Sequence, residues 1–271
     1  MGPMNSGSSD GPRRVPKGVS PEEAADAYRW FLDSLEQLDE ALQAAESVNE
    51  MLHRAMETVR GIYGSDRAWI FHPCDPAAPS FRVTHESNHP DHPGAKELNV
   101  PVPMTDDMAS YCRTALATPG RACVDPVPGE PMENDIALRF SVQSMLFLSL
   151  HPRVGPPWMF GLHQCDHPRV WAWRDRELFN RLGRRIGDAL TSTLYLEQAR
   201  RSETRYRTLV NTVPLGIQVT DREGVIRFSN PAHAALQGCE DGTLVGRTIW
   251  ELMADDEHRE RARAYYRELF E

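Results

Sequence analysis

Histidine and cysteine hold most of the latent chemistry in this chain, so their spacing is the first thing to weigh. In F-G-L-H-Q-C-D-H, His163, Cys165 and His167 stand two apart, and on an extended strand all three side chains would project to one side, as borderline-soft metal ligands must. His85, His89 and His92 lie in H-E-S-N-H-P-D-H-P-G. Two prolines there work against the helical geometry that would converge imidazoles, so a solvated loop is the expectation. In F-H-P-C-D-P, His72 and Cys74 are also two apart, but a cysteine becomes reactive only beside a base or a positive field. The sequence has no G-x-x-x-x-G-K-[ST] phosphate loop, no G-x-S-x-G set on a strand-to-helix turn and no H-E-x-x-H on a helix. It is expected to be catalytically silent as it stands.

Composition narrows the classes further. A chain of 271 residues that is 40% hydrophobic can bury two domain cores. Its 39 acidic against 30 basic residues give a formal charge of −9, which argues against a nucleic-acid surface. The longest apolar stretch, S-M-L-F-L-S-L at 144–150, is far short of the roughly 20 residues a membrane span needs. The N-terminus lacks the apolar core of a signal peptide, and M-G-P-M-N-S matches a myristoylation pattern only superficially, with Pro3 beside Gly2. Five irregularly spaced cysteines, Cys74, Cys112, Cys123, Cys165 and Cys239, fit reduced thiols and a cytoplasmic location.

These residues must be positioned by elements that the sequence pattern outlines. Residues 1–19, rich in Gly, Ser and Pro, are expected to form a disordered leader. Ser20, Pro21 and Glu23 then make a helix start with a hydroxyl cap and a carboxylate three residues on. A helix over 20–64 follows, with Tyr28, Leu35, Leu42 and Met56 on one heptad line and Phe31, Leu38, Ala45, Leu52 and Val59 on the other. Asn49, on the first line, would fix register in a coiled coil; the alternative is an amphipathic helix packed on its own domain.

From Arg67 the pattern turns to short strands, A-W-I-F-H, F-R-V-T-H and L-N-V-P-V, then a helix over Asp106–Ala117, a strand R-A-C-V and a helix over roughly 131–140. Strands at 143–150 and 158–165 should pair as an antiparallel hairpin. A helix from near Arg174 places Leu178, Leu182, Ile186, Leu190 and Leu194 at four-residue intervals and runs into the polar stretch 197–207, read as a helical linker. Strands G-I-Q-V-T and V-I-R-F-S flank D-R-E-G, a tight turn in which Gly224 tolerates a positive φ.

The segment 65–196, through F-G-L-H-Q-C-D-H-P-R-V-W and R-E-L-F-N-R-L-G-R-R-I-G-D-A-L, resembles a GAF domain of the branch near phytochromes and cyanobacteriochromes. Because that branch ends its core strand in this way, the resemblance implies packing rather than metal binding for His163 and Cys165. In bilin-binding relatives a cysteine, often followed by histidine, precedes the strand matching V-Q-S-M-L-F-L; Met132 and Glu133 stand there, so covalent bilin attachment is not expected. The segment 208–271, through R-Y-R-T-L-V-N-T-V-P-L-G-I-Q-V-T-D-R-E-G-V-I-R-F-S-N and L-V-G-R-T-I-W-E-L, resembles a PAS domain. By that resemblance three further strands would follow a helix over 255–270, so the PAS unit is expected to be incomplete and an output domain to lie elsewhere.

The expected fold class is α+β: an antiparallel-sheet GAF-like domain with long flanking helices, then a partial PAS-like domain. Trp69, Phe71, Met145, Phe147, Met159 and Phe160 are expected to line or flank the sheet where GAF relatives hold small ligands, with Cys165 nearby and His163 or Arg139 as polar handles. The resemblance implies the input region of a bacterial signalling protein, in first place a sensor histidine kinase, although neither its phospho-accepting helix nor its ATP boxes are present. It would act as a homodimer through helices, with an unknown small ligand and no nucleic-acid partner. The alternatives are a non-enzymatic dimerisation and interaction module, or the input region of a cyclic-dinucleotide enzyme or transcription activator.

Overall fold

The computed structural model of the protein describes residues 20–97, 101–125, 132, 134–240, 242–253 and 255–270. The expected leader, part of the L-N-V-P-V strand and Glu133 lie outside them. The chain divides into two units, residues 1–195 and 196–271.

The first unit opens with α1 (Pro21–Gln43), started by the anticipated capping box between Ser20 and Glu23. The single helix expected over 20–64 is broken. The chain leaves α1 at Ala44, and Ser47 caps a second helix, α2 (Val48–Tyr63), which Gly64 ends at φ 55°. Trp30 of α1 meets Tyr63 of α2 edge-on, ring centroids 6.3 Å apart, so the two helices fold back as an antiparallel hairpin. The heptad pattern has a local cause: Leu38, Leu52, Met56 and Val59 are buried in the unit's own core, and Leu35 and Leu42 pack against it. Asn49 Oδ1 accepts from His85 Nε2 at 2.8 Å within the same unit. Tyr28 is exposed.

The sheet comprises β1 (Arg67–Phe71), β3 (Val83–Asn88), β5 (Cys123–Asp125), β6 (Ser144–Leu150) and β7 (Trp158–Gln164), ordered β3-β1-β7-β6-β5 and antiparallel at each pairing. β2 (Ser80–Phe81) and β4 (Val102–Pro103) make a separate pair. The expected hairpin is β6 with β7, in register from Ser144 opposite Gln164 to Leu150 opposite Trp158. Both strands are buried along their full length, which is why they read as continuous apolar runs.

Side chains alternate between two cores on the two faces of this sheet. Ala68, Ile70, Leu146, Leu148, Leu150, Phe160 and Leu162 face a helical layer with α2, part of α1 and α5 (Trp173–Thr212). The four-residue repeat of α5 is explained there: Leu178, Leu182, Ile186 and Leu190 are fully buried. At its start, Arg169 stacks over Trp171 at 4.5 Å and its Nη1 donates to the Tyr63 carbonyl at 2.6 Å, so P-R-V-W serves as a packing clamp. Trp69, Phe71, Met145, Phe147 and Met159 face the other way, under α3 (Asp106–Ala117) and α4 (Asp135–Phe140). Helix α4 is shorter than the 131–140 expected, because Asn134 caps it by accepting from Ile136 and Ala137.

The second unit has a two-stranded antiparallel sheet, β8 (Gln218–Thr220) and β9 (Ile226–Ser229), with α6 (Pro231–Leu236), a 3-10 turn at Ile249–Leu252 and α7 (Asp256–Phe270). The D-R-E-G turn forms as expected. Asp221 Oδ1 accepts from the backbone of Glu223 and Val225, and Gly224 sits at φ 76° with the Trp250 ring where a Cβ would be. Asn230 organises this unit. Its Oδ1 accepts from Ile217 and His233 backbone N–H groups, and its Nδ2 donates to the carbonyls of Val210 and Leu215, all within 3.0 Å.

Candidate functional site

The face under α3 and α4 contains a buried charged cluster that begins at the first residue of β1. Arg67, Trp69 and Phe71 alternate along that strand and so share one face. The Arg67 side chain is 2% exposed, and so is that of Glu86, whose Oε1 lies 3.7 Å from Arg67 Nε. Arg67 Nη2 donates to the carbonyls of His92 at 3.1 Å and Pro93 at 2.9 Å. Arg67 Nη1 lies 3.1 Å from His163 Nδ1. Since the guanidinium is always a donor, Nδ1 must accept, which fixes the neutral imidazole with its proton on Nε2. Burial first, and then the Arg67 charge, hold the His163 pKa well below that of a free imidazole, in agreement with that tautomer.

Glu86 Oε2 accepts from the backbone N–H of Lys96 at 3.0 Å and from Asn88 Nδ2 at 3.4 Å. A Cβ on Gly94 would lie 2.1 Å from the Glu86 carboxylate, so the carboxylate needs a bare backbone beside it. A bare residue is needed at Gly161 as well. The Trp69 indole crosses β7 there, and a Cβ would meet it at 2.3 Å.

A cavity of about 40 Å³ opens against this cluster. Arg67, Glu86 and His163 border it, Trp69, Phe71, Phe81 and Phe140 are its aromatic walls, and Met108, Met145, Val83, Val102, Ala95 and Ile136 complete it, so that the surface facing the space is almost wholly apolar. Trp69 stacks on Phe71 with 5.8 Å between centroids and tilts against His163 at 5.1 Å.

The residues expected at the pocket divide by strand phase. Trp69, Phe71, Met145 and His163 line the cavity. Phe147, Met159 and Cys165 belong to the same core without lining it. Phe160 is a correction: one residue out of phase with Met159, it faces the helical layer and stacks on Phe179 at 4.6 Å. Arg139 is exposed, its guanidinium over the Phe140 ring at 5.5 Å, and the polar handle on this face is Arg67 instead. Sequence reading missed Arg67 and Glu86; the i, i+2, i+4 spacing of Arg67 with Trp69 and Phe71 was the available signal for the first.

The histidine and cysteine patterns resolve in the same way. His163 and Cys165 are buried, while His167 is exposed with its ring 3.5 Å from Asp166. The three do not converge. Burial pushes the Cys165 thiol up to about 11. Asp66 fixes this strand end, with Oδ2 accepting from Gln164 Nε2 and the N–H groups of Cys165 and Asp166. Cys74 is held as a thiol by the hydrogen bond it shares with Cys112 and by burial, so it gains no activating field.

His85 corrects the solvated-loop expectation: it lies in β3, 7% exposed, with its pKa lowered to about 4 chiefly by burial. Two strings spell catalytic motifs that sequence reading passed over. H-E-S-N-H at 85–89 has the letters of H-E-x-x-H, but β3 sends His85 towards Asn49 and Glu86 to the cavity, so no helical metal site forms. G-S-S-D-G at 7–11 has the letters of G-x-S-x-G and lies outside the described residues.

Comparison with known proteins follows this geometry. A family model described as a PAS fold matches residues 210–271. A search of curated protein sequences returns no match. Among solved structures, the phytochrome photosensory core module of Stigmatella aurantiaca aligns at TM-score 0.52 and 18% identity, covering 72% of this chain and 42% of that one. The chain thus spans less than half of that module. A phycoerythrobilin-bound GAF domain from a cyanobacterial phytochrome aligns at TM-score 0.48 and 18% identity, covering 62% of this chain and 96% of that domain. The GAF domain of an Acinetobacter phosphoenolpyruvate-protein phosphotransferase aligns at TM-score 0.46 and 11% identity, covering 62% and 97%. The chain combines a GAF-type fold with a PAS-type segment that follows it.

Proposed function

We propose that this chain is the sensory input region of a signal-transduction protein, in which the cavity at Arg67, Glu86 and His163 receives a small molecule. The observation that supports this reading is a charged pair with both side chains 2% exposed, set at the wall of an otherwise apolar cavity. A buried pair of this kind adds little to stability when compared with apolar packing, since the desolvation of two charges offsets their attraction. Its place beside open space accords with recognition. A ligand would act by favouring one of two arrangements of the surrounding elements, and only through a difference in affinity between them.

The output partner follows from the resemblance alone. A histidine kinase acting as a homodimer is the first proposal, and a cyclic-dinucleotide enzyme or a transcription activator the alternative. A covalent bilin is not part of the proposal: Met132 stands where the resemblance would ask for an anchor thiol, and the cavity is far below the size of a tetrapyrrole. A second reading, a non-enzymatic interaction module whose pocket is filled by its own side chains, draws support from that same small volume.

Thermal unfolding against a panel of small molecules separates the two. The sensory reading expects at least one compound to raise the Tm progressively with its concentration, corresponding to a stabilisation of about 2.7 kcal/mol at a hundredfold excess over Kd. A panel without any such compound would favour the self-filled pocket.

A further inference from the structure

The cavity under α3 and α4 is bordered by charged residues but faced by apolar ones. Arg67 and Glu86 direct their polar atoms to each other, to the backbone and to one ring: the guanidinium donates to the carbonyls of His92 and Pro93 and to His163, and Glu86 Oε2 accepts from the Lys96 N–H. The surface facing the space is almost wholly apolar, built chiefly from aromatic rings and the side chains of Met108 and Met145. Three of those rings are pinned, which keeps them from closing the space. Trp69 lies across the bare backbone of Gly161, Phe71 packs on Trp69 at 5.8 Å and on Phe81 at 4.3 Å, and Phe140 lies 5.8 Å from the Arg67 guanidinium above its ring.

From this wall we propose that the ligand of the cavity is a small non-polar molecule of about two or three non-hydrogen atoms, of the class of ethane, ethene and dioxygen. Chemistry sets the class. A water molecule needs about two to four polar partners, and a hydroxyl, amide or charged group placed here would leave its hydrogen bonds unmade. A non-polar guest loses nothing of the kind and gains dispersion contacts with the rings and with the polarisable thioethers. Volume sets the size. A cavity of about 150 Å³ admits benzene with its six carbons, so about 40 Å³ admits about two atoms, and a third as the unbranched Met108 and Met145 side chains shift. Affinity is bounded in turn: at the best attainable ligand efficiency, a three-atom guest binds no tighter than about 0.5 mM. The site therefore suits an abundant molecule and not a trace one.

This inference rests on the cavity being a ligand site, and its test separates the two ideas. The whole chain, with carbon-13 in its methionine methyl groups, is equilibrated with ethane, dioxygen, methanol or benzene while the Met108 and Met145 signals are followed. The expected result is saturable binding of ethane or dioxygen, read as a shift for ethane and as paramagnetic broadening for dioxygen. Methanol, with as many heavy atoms as ethane, should bind at least about tenfold more weakly, and benzene should not enter. Whichever of ethane and dioxygen binds tighter distinguishes a hydrocarbon from a dissolved-gas source. Ala95→Leu fills the space from its wall and should abolish the response; Val83→Ile takes its place should that variant not fold. Methanol binding as tightly as ethane would overturn the non-polar assignment, benzene binding would overturn the size, and a response that survives filling would place the guest elsewhere. If ethane and dioxygen leave both signals unmoved while a compound from the thermal panel moves them, the non-polar assignment falls and the sensory reading stands. If nothing moves them, both fall.

Discussion

The two faces of the five-stranded sheet solve opposite problems with the same strands. The helical face is packed centrally from apolar side chains, with Phe160 stacked on Phe179 and the leucines of α5 fully buried, and it carries His85 only on the edge strand β3, bonded to Asn49. The α3/α4 face, built from alternate residues of those strands, encloses a guanidinium, a carboxylate and a neutral imidazole beside open space. The difference teaches where stability and responsiveness are separated in this unit. One face is packed to hold the fold, and the other retains polar groups that packing alone does not require.

Several measurements would break or sharpen that contrast. The largest effect is expected from Arg67→Met, which strands Glu86 in the interior: unfolding in urea should show a loss of about 3–5 kcal/mol. Adding Glu86→Gln to it should recover part of that loss, because the uncompensated charge is gone. If the double variant is as unstable as the single one, the guanidinium acts through packing and not through charge.

Leu182→Ala tests the opposite face. It removes a fully buried side chain with no polar partner, and a loss of about 3 kcal/mol, unaffected by salt or pH, is expected. Acidification should then act through His85, whose pKa is near 4 in the folded chain against an ordinary 6.5. The unfolded chain binds the extra proton first, so stability is retained above pH 6.5 and declines as the pH falls from 6.5 towards 4, by on the order of 2 kcal/mol. His85→Gln should flatten that slope. A slope that persists would place the responsible proton on another group, such as His163, which is shifted in the same direction.

The smallest effect is expected from Asn49→Ala. Losing its bond to His85 should cost about 1 kcal/mol and leave the sedimentation mass unchanged, whereas a change in mass would restore a register-setting role for that amide between chains.

Much of the fold was legible because its strands and helices announce themselves by period. Helix α3 forms over the expected span of Asp106–Ala117, and β6 with β7 pairs as the runs of apolar residues suggested. The break at Ala44–Ser47 was not legible, since a heptad line continues smoothly through it and Ser47 can cap a helix as readily as it can sit within one. The site was half legible. Trp69, Phe71 and Met145 could be named from aromatic and sulfur content, but Phe160 was drawn in with them because content ignores strand phase. Glu86 was hidden by its long-range pairing: nothing near it in sequence shows that β3 sets it against Arg67.

Xenon under pressure, followed through carbon-13 methyl signals of methionine, tests the central contrast most directly, because each face has its own reporters. Met108 and Met145 line the cavity, while Met51 and Met56 are buried in the helical core. Apolar space large enough for a guest admits xenon, and close-packed interior does not. The account predicts saturable shifts at Met108 and Met145 with Met51 and Met56 unmoved. Shifts confined to Met51 and Met56, or none at Met108 and Met145, would contradict it.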